Sequence, residues 1–230
     1  MTKYIYHKEI LPSVLESLQR FPEEIALIEG FPSQDYVLND FLSHIGNAVH
    51  EHLNEDSGSI FKVQVHHKEA HFSSYANSNL FFPVHTDCSN YKEIPEYVAL
   101  LCVTPSIEGG ESLFVKLSEL IQELPKPLLA ILTQKHWAFG NVYRPVISLI
   151  QGKYSICYNR ITMESYTDLT QDELHILNEF DDLCRKLTFT LSLKANDLII
   201  FRNDLLLHGR TDFPLHAHRV LKRVRLYSKN

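Results

Sequence analysis

The segment Phe81-Phe82-Pro83-Val84-His85-Thr86-Asp87 places an imidazole and a carboxylate two residues apart. On a strand, side chains two apart point to the same side, so His85 and Asp87 can aim a nitrogen and an oxygen at one point. A third donor must come from elsewhere, and Leu205-Leu206-Leu207-His208-Gly209-Arg210 offers His208 after an apolar run. Two histidines and one carboxylate on one face of an octahedron leave three positions open. That arrangement suits non-haem Fe(II), which needs open positions for a co-substrate and O2. An H-x-D pair alone says little in a chain with 13 histidines, where a core or surface histidine can sit beside an unrelated aspartate. The late His208 is what raises it. His66 and His67 follow a strand-like run and are read as non-ligands.

Arg219 lies eleven residues after His208. A co-substrate such as 2-oxoglutarate needs a cation for its distal carboxylate, and the planar guanidinium fork bonds a carboxylate through two oxygens. An edge-strand arginine facing solvent is the competing reading. Arg223 is the second choice, because it shares the face of Arg219 on a regular strand while Val220, Val224 and Leu226 face the other way. The same alternation accounts for the basic end (Arg219, Lys222, Arg223, Arg225, Lys229) without an anionic partner.

The elements that must position these residues are short. Leu11 to Arg20 reads as a helix and Ile25 to Ile28 as a strand. Tyr36 to Leu53 reads as an amphipathic helix with Phe41, Ile45 and Val49 on one stripe. Phe61, Val63 and Val65 alternate with polar residues, as in a half-buried strand. Further strands are expected over Tyr97 to Val103, Ser112 to Val115, Trp137 to Phe139 and Tyr154 to Asn159. Thr170 and Glu173 form a capping box that opens a helix with Leu174, Leu177, Phe180, Cys184 and Leu187 at helical spacing. Strands resume over Leu191 to Leu193, Leu198 to Phe201 and Val220 to Leu226, with a turn at Asn196-Asp197. Many short strands and few helices point to an antiparallel sandwich, jelly roll or barrel.

Composition bounds the rest. With 44% apolar and 22% charged residues and a net charge of −6, the chain is ordinary for a globular protein and has no bulk attraction for nucleic acid or anionic membranes. The expectation is a single domain over 1–230, with no membrane partner, in the cytoplasm: no apolar run reaches the roughly 18 residues a bilayer span needs, and MTKYIYHKEI lacks the apolar core of a signal peptide. The four cysteines (Cys88, Cys102, Cys157, Cys184) form no CxxC pair and read as buried, reduced thiols. The oligomeric state is left open.

Four segments in order resemble the clavaminate synthase-like and taurine dioxygenase-like Fe(II)/2-oxoglutarate oxygenases: IALIEGFP (25–32), HTD with PEYVALLC (85–102), GGESLFV (109–115), and NDLIIFRNDLLLHGR with HRVLKR (196–223). The resemblance implies a mainly β fold, a double-stranded β-helix or jelly roll with flanking α-helices. It implies His85, Asp87 and His208 as iron ligands and Arg219 as the 2-oxoglutarate arginine. Ser112 stands where the family often places a threonine for the same carboxylate, and its hydroxyl can still donate. The implied chemistry is hydroxylation of an unactivated C–H of a small molecule, a free amino acid or similar zwitterion, with O2 consumed and 2-oxoglutarate converted to succinate. Desaturation or ring closure by the same chemistry is an alternative outcome, and a cupin-like metal protein is an alternative class that would not need Arg219. Asp87 departs from the H-x-E usual among the clavaminate-branch amino-acid hydroxylases, and it argues against halogenases, which lack the carboxylate. Candidates for the substrate pocket are Tyr75, Asn77 and Asn79 ahead of the metal motif, and Asn159 and Arg160 on a later strand, Arg160 for a substrate carboxylate.

Overall fold

A computed structural model describes residues 1–19, 25–50, 58–65 and 75–229. The chain opens with β1 (Thr2–Ile5), α1 (Leu11–Gln19), β2 (Ile25–Glu29), α2 (Asp35–Ser43), β3 (Gly46–Ala48) and β4 (Phe61–Val63). A 3₁₀ turn at Tyr75–Asn77 precedes β5 (Phe82–His85), β6 (Tyr97–Thr104) and β7 (Ser112–Lys116). Helices α3 (Leu117–Glu123) and α4 (Lys126–Gln134) lead into β8 (Trp137–Phe139), β9 (Val142–Arg144), β10 (Ile147–Ile150) and β11 (Lys153–Ile156). Helices α5 (Arg160–Tyr166) and α6 (Gln171–Leu187) then precede β12 (Phe189–Leu191), β13 (Leu198–Arg202), β14 (Leu206–Arg210) and β15 (Val220–Ser228).

Two sheets carry the site. The larger runs β1-β2-β13-β6-β15-β3, with β4 also paired to β15; the smaller runs β12-β7-β14-β5. Apart from the parallel β1–β2 pair, neighbours in both sheets are antiparallel. Because side chains alternate along a strand, β6 serves two cores at once. Tyr97, Ala99 and Leu101 pack under α1 and α2 with Val14, Leu18, Leu38 and Leu42. Val98, Leu100 and Cys102 face the smaller sheet, meeting Phe114 of β7 and Leu206 of β14. Behind the smaller sheet, Val115 and Leu207 pack against α3, α4 and α6. The result is the expected jelly roll, a sandwich with helices outside it.

Several expected elements are found with changed limits. The helix predicted over Tyr36 to Leu53 ends at Ser43, and residues 46–48 instead pair with the end of β15. Gly46 is a poor helix residue, and the space a side chain there would need is filled by the backbone of Tyr227. Ile45 and Val49 are still buried, as their apolar character requires, but from a turn and a loop; residues 51–53 lie outside the described residues, as do His66 and His67. The strand expected over Tyr154 to Asn159 stops at Ile156, and α5 begins four residues on. The capping box at Thr170 is present, with Thr170 and Glu173 bonded reciprocally. Helices α3 and α4 were not expected, and the six helices among the described residues exceed the few that the strand count implied. None of the four cysteines is in a disulfide and all are buried. Among the described residues, no helix is long and apolar enough to cross a membrane.

Candidate active site

His85 ends β5 and His208 lies in β14, and the two are direct cross-strand partners with ring centroids 4.4 Å apart. Gly209 makes that approach possible. A Cβ at 209 would sit 2.6 Å from the carbonyl oxygen of Phe82, so only glycine lets β14 lie this close to β5. Asp87 is not on the strand, as the H-x-D alternation predicted, but in the turn directly after it. The chain leaves β5 because Thr86 N–H donates to Tyr158 O and Asp87 N–H donates to the side chain of Asn203. Cys88 follows with φ 58°, a left-handed backbone that reverses the chain. Asn203, wholly buried between β13 and β14, also donates to Asp87 O and Pro95 O. One side chain thus ties the Asp87 peptide to the turn that leads into β14 and His208.

The three donors converge. One ligand atom from each of His85, Asp87 and His208 lies within 4.8 Å of the others, and all three residues are buried. Asp87 Oδ1 is 3.3 Å from His85 Nε2 and 3.9 Å from His208 Nε2. His85 Nδ1 lies 2.9 Å from Pro83 O. A carbonyl only accepts, so Nδ1 is the donor in this contact and Nε2 is the nitrogen that faces the carboxylate. Burial, then the neighbouring His85, pulls His208 down to about 3, so its ring is neutral at ordinary pH. Burial alone would raise Asp87, but Arg223 and Arg225 outweigh it and hold the carboxyl well below its usual range. Two imidazole nitrogens and an anionic oxygen therefore face one buried point. A cation is what this donor set fits.

Arginines surround the cluster. Arg225 Nε donates to Asp87 Oδ2 at 2.9 Å, and Arg223 Nη1 lies 3.3 Å from the same oxygen. Arg219 immediately precedes β15 and is buried; burial lowers it to about 10, so it stays cationic at neutral pH. Gly110, at φ 74°, gives it room: a Cβ there would stand 2.9 Å from Arg219 Cδ. A cavity of about 50 Å³ is lined by His85 and His208 together with Leu100, Ser112 and Arg219. A roomier one of about 220 Å³ lies over Asp87, walled by Phe82, Arg223, Arg225, Tyr75, Asn159 and Thr162.

The substrate candidates separate. Tyr75 and Asn159 line the larger cavity, and Tyr75 stacks on Phe82, which stacks on His85. Asn159 caps α5 by accepting from Thr162 N–H. Asn79 donates to Phe213 O, and Asn77 is buried in the 3₁₀ turn. Arg160 opens α5 and is not on a strand; its donors go to Glu164, Asp181 and Asn178, away from the cavity. Arg225 and Asn203 are the contacts of Asp87 that the sequence reading did not single out. Strand alternation carried the signal for Arg225, since Arg219, Arg223 and Arg225 are odd-numbered residues of one run.

The match of a family model over most of the chain places it among the Fe(II)- and 2-oxoglutarate-dependent dioxygenases as an enzyme class. The chain belongs to the taurine catabolism dioxygenase TauD, TfdA family, whose family model matches residues 14–225. No curated protein matches it in sequence. Among solved structures it is similar to asparagine oxygenase AsnO, with a TM-score of 0.78 at 14% identity over 95% of this chain and 77% of that one. It is similar to PvcB from Pseudomonas aeruginosa, with a TM-score of 0.74 at 18% identity over 96% of this chain and 81% of that one. The non-haem iron oxygenase OrfP, solved with Fe and α-ketoglutaric acid, gives a TM-score of 0.76 at 13% identity over 97% of this chain and 81% of that one. At these identities the likeness is one of fold.

Proposed function

We propose that the protein hydroxylates an unactivated C–H of a small molecule, a free amino acid or similar zwitterion, with Fe(II) held by His85, Asp87 and His208. The observation that carries the reading is the convergence of Nε2, Nε2 and Oδ1 on one buried point, with His85 Nδ1 donating to Pro83 O. When bound, iron and 2-oxoglutarate supply the oxidation of a C–H bond by O2, with succinate and CO2 as the co-products.

The chain's own residues do the rest. Arg219 and Ser112, which line the same cavity as the two imidazoles, bind the distal carboxylate of 2-oxoglutarate; the guanidinium supplies charge and the hydroxyl a directional donor. Leu100, Leu221 and Val63 also line this cavity and exclude water from it. The substrate occupies the larger cavity over Asp87. Arg223 faces that cavity and replaces Arg160 as the partner for a substrate carboxylate, with Tyr75 and Asn159 on the walls. A free amino acid is supported by what two similar proteins hold. Asparagine oxygenase is known with Fe(II), 3-hydroxyasparagine and succinate, and an OrfP variant with (3S)-hydroxy-L-Arg.

The test is succinate release with Fe(II), 2-oxoglutarate and O2 across the free amino acids and small carboxylic acids. The reading expects one group of related compounds to raise succinate well above the level without substrate and to gain one oxygen atom. Uniform background succinate across the set would sink the amino-acid assignment.

A further inference from the structure

We infer that Arg225 is a positioning residue that keeps Asp87 a one-oxygen ligand and so holds a metal position open for the co-substrate. The inference rests on the ligand assignment proposed above. A carboxylate binds a cation through one oxygen or through both. Here the two oxygens of Asp87 are sorted. Oδ1 faces the imidazoles, 3.3 Å from His85 Nε2 and 3.9 Å from His208 Nε2. Oδ2 faces the other way, 2.9 Å from Arg225 Nε. The backbone is pinned as well, since Asn203 accepts from Asp87 N–H at 2.9 Å and donates to Asp87 O at 3.1 Å. With the peptide fixed, rotation about the side-chain bonds is the remaining freedom, and the Arg225 bond opposes it.

Arg225 and Arg223 do not play the same part. Arg223 Nη1 is spread between the two oxygens, 3.3 Å from Oδ2 and 3.5 Å from Oδ1, and its guanidinium lies over the Phe61 ring with 4.7 Å to the centroid. Of the two arginines, Arg225 makes the shorter contact with Asp87, to a single oxygen at 2.9 Å, and a charge-assisted bond of that length is roughly twice as strong as a neutral one. Sorting matters because a facial set of three ligands leaves three positions, and a keto acid that chelates uses two of them. If Asp87 turned and bound through both oxygens, it would compete with the co-substrate for one. Removing Arg225 also removes a positive charge next to a divalent ion, so loss of charge alone does not weaken metal binding.

The experiment loads wild type, Arg225→Gln and Arg225→Lys with Co(II) in place of Fe(II), without turnover. The visible absorption of the metal reports its affinity and coordination number, and 2-oxoglutarate is then titrated in. Arg225→Gln is expected to bind Co(II) about as tightly as wild type, to show an altered visible absorption as the second Asp87 oxygen replaces a water, and to bind 2-oxoglutarate on the order of tenfold more weakly. Arg225→Lys, which keeps a point charge but loses the planar fork, falls between, and it carries the test if the Gln variant does not fold. Variants with wild-type absorption and 2-oxoglutarate affinity overturn the inference. So does a variant that loses Co(II) altogether, or one altered only in KM for the substrate. A wild-type protein that binds no Co(II) refutes the ligand assignment itself.

Discussion

Arg219 and Ser112 line the same cavity as His85 and His208, and the proposed co-substrate role of each can be tested separately. Truncating one partner of a buried, hydrogen-bonded charge pair costs about 2–5 kcal/mol. Arg219→Met should therefore raise KM for 2-oxoglutarate at least ~30-fold, while Ser112→Ala, which removes one hydroxyl donor, should raise it only about fivefold. Metal binding should be unaffected in both, which metal titration checks. The pH dependence follows from the direction of the Arg219 shift. Its pKa is lowered to about 10, so the guanidinium is charged below that value and loses its charge above it. Affinity for 2-oxoglutarate should be insensitive to this group near neutral pH and fall as pH rises through 10. A 2-oxoglutarate affinity unchanged by Arg219→Met would remove Arg219 from the co-substrate site.

Among the elements, the segment before β5 is held by a side chain of the neighbouring strand in the same sheet. Arg210, buried in β14, donates from Nη1 to Ala76 O at 3.3 Å and from Nη2 to Ser78 O and Leu80 O at 2.7 Å each. Arg210→Met would leave the buried carbonyls of Ala76 and Ser78 without these donors, at about 1–3 kcal/mol apiece, while the more exposed Leu80 carbonyl can turn to water. The expected loss is at least ~2 kcal/mol, or a Tm lower by about 4–8 °C for a chain of this size; a Tm within 1–2 °C of wild type would contradict the clamp. On α6, the capping box makes a smaller prediction. Thr170→Ala should cost about 1 kcal/mol. Lys135 and the Thr170 amide hold Glu173 below its usual carboxylate value, so its contribution is complete above pH 4.5 and is lost as pH falls through the lower folded value. The gap between Thr170→Ala and wild type should accordingly narrow in acid, as denaturant titrations at two pH values would show. Thr170 and Glu173 were legible because the capping signal is local, four residues long. Strands such as Tyr97–Thr104 were legible because their apolar runs are continuous. What was not legible depends on distance. Helices α3 and α4 carry Leu117, Leu120, Leu128 and Leu132 at helical spacing, but prolines at 125 and 127 break the run into two short pieces. The end of α2 is set by the pairing of Gly46 with Ser228, almost the whole chain away.

Across the whole molecule, the site is a product of the sandwich. The smaller sheet supplies His85, His208 and Ser112; β15 of the larger sheet supplies Arg223 and Arg225 and follows directly from Arg219. The two sheets meet through Phe114, Phe201, Leu206 and Leu221, so the packing that stabilises the fold also sets the separation of ligands from arginines. Of the site, His85, Asp87, His208 and Arg219 could be marked in the sequence because their residue types are demanding and their spacing is short or suits a strand. Asn203 could not, because an asparagine in a turn is ordinary until Asp87 is seen against it; Arg225 shares the alternation of Arg219 and Arg223, but only the contact with Asp87 sets it apart from a basic strand end. Tyr75 and Arg160 illustrate the same limit in opposite directions: one lines the larger cavity and the other is taken up by α6. The most direct test of the account compares wild type with Asp87→Ala for bound Fe(II) and for succinate formed from 2-oxoglutarate under O2. Wild type should bind one Fe(II) per chain and form succinate, and the variant should lose both. The account is contradicted if the two proteins bind iron alike and form succinate at the same rate.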